Sequence, residues 1–202
     1  MSEKYPIDFV VTWVDGNDPV WQAEKAKYSP NKNADNRNVR FRDWDNMQYW
    51  FRAVEKFAPW VNKVHFVTYG HLPKWLNTNN PKLNIAKHSD FIPKEYLPTF
   101  SSRTIEFNLH RIKGLAERFV YFNDDMFLLK PVKRELFFAG KDCLPTDFAI
   151  TSTLSVTDKK DTVQYAKFNN IVILNSHFDK KEQMKKNLNK WINLEYLSLI
   201  HI

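Results

Sequence analysis

Glycine and cysteine are both scarce in this chain of 202 residues. The four glycines lie far apart, so the chain contains neither a GxGxxG fingerprint nor a P-loop. A phosphate-bearing ligand would therefore need a metal ion or Lys and Arg side chains to neutralise its charge. The single cysteine, Cys143, excludes an internal disulfide and a zinc site built on four cysteines. It also indicates a reducing, cytoplasmic setting.

Long apolar runs are absent as well, and none is long enough to span a bilayer. With 43% hydrophobic and 26% charged residues, the composition is typical of a soluble globular protein with one sizeable domain. The net charge of +7 favours anionic partners, such as nucleotides, nucleic acid, phosphorylated sugars or an acidic membrane face. The basic stretch DKKEQMKKNLNK is either the solvated face of a helix or a weak membrane-surface contact.

Short apolar runs alternate with amphipathic segments, which predicts an α/β fold with a mainly parallel sheet flanked by helices. The polar stretch 31–40 predicts a mobile loop. One helix is predicted over Met47–Phe57, with Asp43 or Asp45 as its cap, and a second begins at Ser101 or Ser102. The apolar face of the second helix consists of Ile105, Leu109, Ile112 and Ala116. Strands are predicted at 7–14, 63–70, 83–88 and 118–124.

Polar residues follow three of these strands: DGND at 15–18, YGH at 69–71 and NDD at 123–125. The carboxyl ends of parallel strands meet at one edge of a sheet, where ligands of such folds bind. Asp124 and Asp125 either ligate Mg²⁺, Mn²⁺ or Ca²⁺ together with a substrate diphosphate, or cap the following turn. The 15–18 segment is either an ordinary turn or a nucleotide contact, and Trp13 either stacks on a base or packs in the core.

A polar stripe on the second helix joins Arg103, Glu106, His110 and Lys113. The stripe is either a solvated face with local ion pairs or the wall of a pocket. In the second case, Arg103, His110 or Arg111 would face phosphate oxygens. Histidines 65, 71 and 88 lie singly near strand ends and receive no role.

Several ordered motifs, from IDFVVTWVDGNDP near the start to FVYFNDDMFL at the fourth predicted strand, together resemble the Stealth family of bacterial polysaccharide phosphotransferases. The segment IDFVVTWVDGNDP resembles the family's first region. The second region is matched by the stretch beginning RFRDWDNMQYWF, by LPTFSSRTIEFNLHRIKGL and by FVYFNDDMFL. The resemblance covers about residues 7–131, and KFNNIVILNSHFDKK is similar to the start of a third region, at about 167–196.

The resemblance implies a GT-A-like nucleotide-sugar transferase fold and transfer of a hexose-1-phosphate from a UDP-sugar to a glycan hydroxyl. It implies Mg²⁺ or Mn²⁺ as the cofactor, no nucleic-acid partner and a cytoplasmic location, with peripheral membrane association as an option. Asp124 and Asp125 become the expected metal and phosphate centre, with His110 and Arg111 as further catalytic candidates. The expected donor contacts are Trp13, Asp15, Asn17, Arg42, Asn46 and Arg103.

The resemblance also predicts that the chain, read as one domain over 1–202, is incomplete at its carboxyl end. Members of the family continue into a segment containing His-Pro and a fourth region, whereas this sequence stops at YLSLIHI. Two other functions remain open from the residues alone. One is a glycosyltransferase that uses the same donor and releases UDP, and the other is a non-catalytic nucleotide-sugar-binding protein.

Overall fold

The structure is a computed structural model, and it divides into two compact units, Met1–Thr146 and Asp147–Ile202. It describes residues 5–28, 44–139, 144–146, 165, 169, 172–173, 176–177 and 179–186. The loop expected at 31–40 lies outside these residues, and the single domain over 1–202 stays a prediction.

Within the described residues, the first unit contains six strands and four α-helices. One helix is described over a continuous segment of the second unit. Three short 3₁₀ turns cover Lys94–Tyr96, Leu109–Arg111 and Arg134–Leu136. In chain order, the elements are β1 (Ile7–Trp13), α1 (Pro19–Lys27), α2 (Met47–Phe57), β2 (Val64–Thr68), β3 (Leu83–Lys87), α3 (His88–Phe91), α4 (Ser102–Asn108), β4 (Arg118–Phe122), β5 (Phe138–Ala139), β6 (Leu144–Pro145) and α5 (Lys180–Lys186).

Four parallel strands form the main sheet in the order β3-β2-β1-β4, which confirms the predicted α/β class. Strand β1 is central, and its Val11 pairs with Phe66 of β2 and with Phe122 of β4. Six of the seven residues of β1 are buried, as expected for a parallel strand that is covered on both faces. Strands β5 and β6 form a separate antiparallel pair.

Alternate residues of β1 serve two hydrophobic clusters, one on each face of the sheet. Phe9, Val11 and Trp13 belong to the cluster that also contains the buried face of α2. Val10 belongs to the opposite cluster, together with Phe91 of α3 and the segment around Leu109. Helices therefore cover both faces of the sheet. The polar residues that flank the strands lie at the two ends of the strands, outside these hydrophobic clusters.

The predicted helix over Met47–Phe57 is confirmed as α2, but its predicted cap is wrong. The N-cap is Asn46, whose side chain makes no capping hydrogen bond. Asp45 instead has a φ of 53°, a left-handed conformation that Asp tolerates better than most residues. Asp43 lies outside the described residues.

The second predicted helix is shorter than its apolar spacing indicated. Helix α4 ends at Asn108, and one 3₁₀ turn follows before the chain extends at Ile112. Ile105, Leu109 and Ile112 do pack together, but Ala116 lies beyond the helix. Helix α1 had not been predicted, although Asp18 caps it by accepting hydrogen bonds from the N–H groups of Val20 and Trp21.

In the second unit, α5 begins after Asp179, whose carboxylate accepts hydrogen bonds from the N–H groups of Lys181 and Glu182. Lys186 pairs with Glu182 at 2.8 Å, and both side chains are exposed. This part of the basic stretch is thus helical. Among the described residues, no helix combines the length and apolar character needed to cross a membrane.

A buried carboxylate ties the amino ends of three strands together. Asp8 of β1 is fully buried and accepts hydrogen bonds from Asn62 Nδ2, the Lys63 N–H, His65 Nε2 and the Ala116 N–H, at 2.8–3.1 Å. Asn84 of β3 donates to His65 Nδ1 at 2.9 Å, so the neutral imidazole carries its proton on Nε2, towards Asp8. Burial opposes ionisation of Asp8, but the hydrogen bonds outweigh it and hold its pKa below the usual 3.8.

Replacing this carboxylate is expected to destabilise the fold in a pH-dependent way. Because Asp8→Ala leaves buried donors without an acceptor, we expect a loss of about 3–5 kcal/mol in unfolding free energy at pH 7. The lowered pKa means that the charge contributes stability above about pH 4, and that this contribution is lost as the pH falls through the folded-state value. The unfolding free energies of wild type and of the isosteric Asp8→Asn variant, measured by urea denaturation, should therefore approach each other as the pH is lowered.

The matched control is Glu117→Gln, since that carboxylate is exposed and pairs only with Arg118 among the described residues. Its substitution should change the unfolding free energy by less than about 1 kcal/mol. Equal effects of Asp8→Ala and Glu117→Gln would contradict the role given to Asp8.

Candidate active site

The carboxyl ends of β1 and β4 bring two predicted acidic segments to one edge of the sheet. Because Val11 pairs with Phe122 in a parallel register, the chain beyond each residue continues towards the same edge. Asp15 follows β1 by two residues, and Asp124 follows β4 by two residues. Neighbouring strands are about 4.8 Å apart, so the two segments emerge side by side. We call this edge, with residues 15–18, 69–71 and 123–125, the rim.

The 15–18 turn is held by His71, which comes from the loop after β2. The Asp15 N–H donates to His71 Nε2 at 2.8 Å, and His71 Nδ1 lies 3.4 Å from Asp18 Oδ2. Hydrogen bonds from the N–H groups of Trp21 and Val20 lower the pKa of Asp18, and His71 adds to this effect. The Asp15 carboxylate accepts from the Asn17 N–H at 2.9 Å, so the turn is closed by its own side chains.

The other predicted donor contacts differ in their surroundings. Trp13 is buried in the core and stacks on Phe66, with 5.6 Å between the ring centroids. This agrees with the interpretation of Trp13 as a core residue. Asn17 is exposed at the rim, and half-buried Asn46 lies where α2 begins. Arg42 lies outside the described residues.

Asp124 and Asp125 are both exposed in a turn that follows β4, where the Met126 N–H donates to the Asn123 carbonyl at 3.1 Å. Nowhere in the described part of the chain do three or more His, Cys, Asp or Glu side chains form a group that could hold a metal ion. Mg²⁺ is commonly held by one or two carboxylates together with water and substrate phosphates. This pair therefore fits a cation that binds along with a diphosphate rather than one enclosed by protein ligands.

The phenol of Tyr121 connects β4 to β1 and to α4. The Tyr121 hydroxyl lies 3.2 Å from Thr12 Oγ1 and 3.4 Å from Glu106 Oε1. Burial raises the pKa of Tyr121 to about 12, and the charges of Glu106 and Asp124 contribute. The phenol therefore stays protonated at neutral pH.

The three basic candidates among the described residues lie on α4 or on the turn after it, and all three are exposed. Arg103 is in the first turn of α4, whereas His110 and Arg111 belong to the 3₁₀ turn that ends the segment. The chain runs from there towards the start of β4, at the opposite edge of the sheet. The donor contact of Arg103 and the catalytic roles of His110 and Arg111 stay predictions.

Two models of conserved regions in one protein family match the chain. The family model for Stealth protein conserved region 1 matches residues 5–33, and that for conserved region 2 matches residues 40–144. The chain belongs to the Stealth family. The resemblance inferred from the motifs is thereby confirmed, and the rim of this Stealth protein is formed from both matched regions.

Curated relatives of this Stealth protein carry the names of polysaccharide phosphotransferases. It is 52% identical to the capsular polysaccharide phosphotransferase WcwK of Streptococcus pneumoniae over 94% of the chain and 57% of the relative. It is 46% identical to the capsular polysaccharide phosphotransferase eps5J of Streptococcus thermophilus, over 96% of the chain and 81% of that relative. The receptor polysaccharide phosphotransferase WefC of Streptococcus oralis is 48% identical over 89% of the chain and 54% of its own length. The chain thus spans a little over half the length of several of these relatives.

Sequence reasoning gave no role to two side chains that organise the rim of this Stealth chain. His71 had a signal, since YGH follows a strand as DGND and NDD do, but nothing local shows that its imidazole reaches the 15–18 turn. Glu106 was noted only as one member of an exposed stripe. Its contact with Tyr121 depends on the packing of α4 against β4, which residue spacing does not give.

Removing the Tyr121 hydroxyl tests the link between α4 and the sheet. Because Tyr121→Phe deletes the partner of both Thr12 and Glu106, we expect unfolding free energy to fall by about 1 kcal/mol. Urea denaturation measures this loss. Tyr96→Phe is the matched control, since Tyr96 is exposed and its hydroxyl has no hydrogen bond within the described residues. A loss no larger than that of Tyr96→Phe would show that the link contributes nothing.

Proposed function

We propose that this chain is a sugar-phosphate transferase with a GT-A-like fold. The enzyme moves a hexose-1-phosphate from a UDP-sugar to a hydroxyl group of a glycan in capsular or exopolysaccharide synthesis. The observation that carries the proposal is 52% identity, over 94% of the chain, to a protein named a capsular polysaccharide phosphotransferase. A cytoplasmic location at the inner face of the membrane belongs to the same proposal.

The acidic rim supports this chemistry. A diphosphate needs its charge neutralised, and the four glycines of the chain lie too far apart in sequence to form a glycine-rich backbone cradle. Asp124 and Asp125 would instead hold Mg²⁺ or Mn²⁺, which supplies positive charge to the diphosphate when bound. The Asp15–Asp18 turn would receive the nucleotide part of the donor, and Arg103 would contribute a second positive charge to the phosphate oxygens.

The proposed reaction joins the acceptor oxygen to the phosphorus that bears the sugar. As this bond forms, the bond from that phosphorus to the bridging oxygen breaks, and UMP leaves with the electron pair. The acceptor proton passes to a general base. The protein's contribution is mainly to position the two substrates and to stabilise the charge that develops on the leaving oxygen.

The released nucleotide distinguishes this reaction from ordinary glycosyl transfer. We expect the protein to release UMP when incubated with UDP-N-acetylglucosamine, Mg²⁺ and a capsular glycan acceptor. Chromatography of the nucleotide products measures the outcome. Release of UDP would indicate attack at the anomeric carbon, and donor binding without release would indicate a non-catalytic binding protein. Either result would contradict the proposal.

Substitution of Asp125 tests the role of the carboxylate pair. Because the side chain is exposed and makes no hydrogen bond or ion pair within the described residues, Asp125→Ala should leave the unfolding free energy almost unchanged. The rate of UMP release should fall by about 100-fold or more, since positive charge at the diphosphate would be lost. The control is Glu117→Gln, an exposed acid at the start of β4, on the edge opposite the rim. Equal rates in both variants would exclude Asp125 from the site.

A further inference from the structure

Both nitrogens of His71 are used to hold the turn after β1. The Asp15 N–H points at Nε2, so this nitrogen must be the unprotonated acceptor, at 2.8 Å. The neutral imidazole then carries its proton on Nδ1, which lies 3.4 Å from Asp18 Oδ2. One side chain from the β2 loop thereby fixes a backbone group at the start of the turn and a carboxylate at its end.

His71 is itself held in place by its neighbours. The Thr68 hydroxyl donates to the His71 carbonyl at 2.7 Å, and the edge of the imidazole meets buried Trp13 at 5.3 Å between ring centroids. The side chain is 14% exposed. The imidazole therefore has little room to turn, and its position is set by the core rather than by the turn that it contacts.

Among the described residues, the ionisable groups around the imidazole are Asp15 and Asp18 on the turn, Tyr69 beside it, and His88 of α3. Glu24 of α1 accepts the hydrogen bond of the Tyr69 hydroxyl. Burial lowers the pKa of His88 to about 4, with a smaller contribution from the charge of His71. His88 thus stays neutral over the range in which histidines ordinarily gain a proton, and Asp18 stays ionised.

We propose that His71 is a positioning residue of the donor site, which holds the Asp15–Asp18 turn in its ligand-receiving shape only while Nε2 is unprotonated. A second proton on the imidazole turns Nε2 from an acceptor into a donor that faces the Asp15 N–H. The first hydrogen bond is then lost, although the contact with Asp18 is retained. That the turn receives a nucleotide rests on the proposed function, whereas the hydrogen bond to His71 does not.

The first measurement concerns the turn alone. In the 202-residue chain, NMR hydrogen exchange should show the protection factor of the Asp15 amide falling about tenfold between pH 7.5 and pH 5.5. His71→Gln is the matched variant, because its side-chain oxygen can accept the same hydrogen bond and cannot be protonated. This variant should fold and keep one protection factor at both pH values. Equal pH dependence in wild type and His71→Gln would overturn the proposal.

The second measurement concerns the ligand. Calorimetric titration with UDP and Mg²⁺ measures the affinity of both proteins at pH 7.5 and pH 5.5. On acidification, the affinity of wild type should fall about tenfold more than the affinity of His71→Gln. Since both proteins bind the same ligand, the titration of UDP itself cancels in this comparison. Parallel pH profiles would overturn the role of His71 in donor binding. Failure of UDP to bind wild type at either pH would instead overturn the proposed donor, and the exchange measurement would still decide the hydrogen bond.

Discussion

The parallel pairing of β1 with β2 on one side and β4 on the other is the constraint on which the rest of the fold depends. Parallel pairing sends every strand out of the sheet at the same edge, so segments far apart in sequence become neighbours there. It also requires crossover connections. The one between β1 and β2 places α2 on one face, and the one between β3 and β4 places α3 with α4 on the other. The rim is a consequence of this topology and needs no separate folding event.

The two edges of the sheet use acidic side chains in opposite ways. At the amino ends of the strands, Asp8 is buried and accepts four hydrogen bonds. Its charge therefore stabilises the fold, and its carboxylate is not accessible to a ligand. At the carboxyl edge, Asp124 and Asp125 are exposed in a turn. A charged ligand can therefore bind at the rim without disturbing the carboxylate on which strand association depends.

Sequence patterns predicted what is local and missed what is long-range. The bounds of α2 and the four parallel strands followed from apolar periodicity, because burial on both faces leaves a clear signal. The length of α4 could not be predicted in this way. Its apolar face continues past Asn108, because Leu109 and Ile112 are buried although they lie in and after a 3₁₀ turn. The contacts that shape the rim join residues 56 positions apart, for Asp15 and His71, and 109 apart, for Thr12 and Tyr121. No local spacing contains such pairs.

Exposure of the carboxylate pair has a thermodynamic consequence for the proposed transferase. Two hydrated carboxylates bind a divalent cation weakly, and no third acidic or imidazole ligand joins them in the described part of the chain. In the proposed site a diphosphate would supply further oxygen ligands, so the complete coordination would exist only when donor and cation are bound together. Because linkage is reciprocal, the cation then raises donor affinity by the same factor by which the donor raises cation affinity. A chain with four glycines can in this way bind a diphosphate without a backbone cradle, by recruiting the neutralising charge with the substrate.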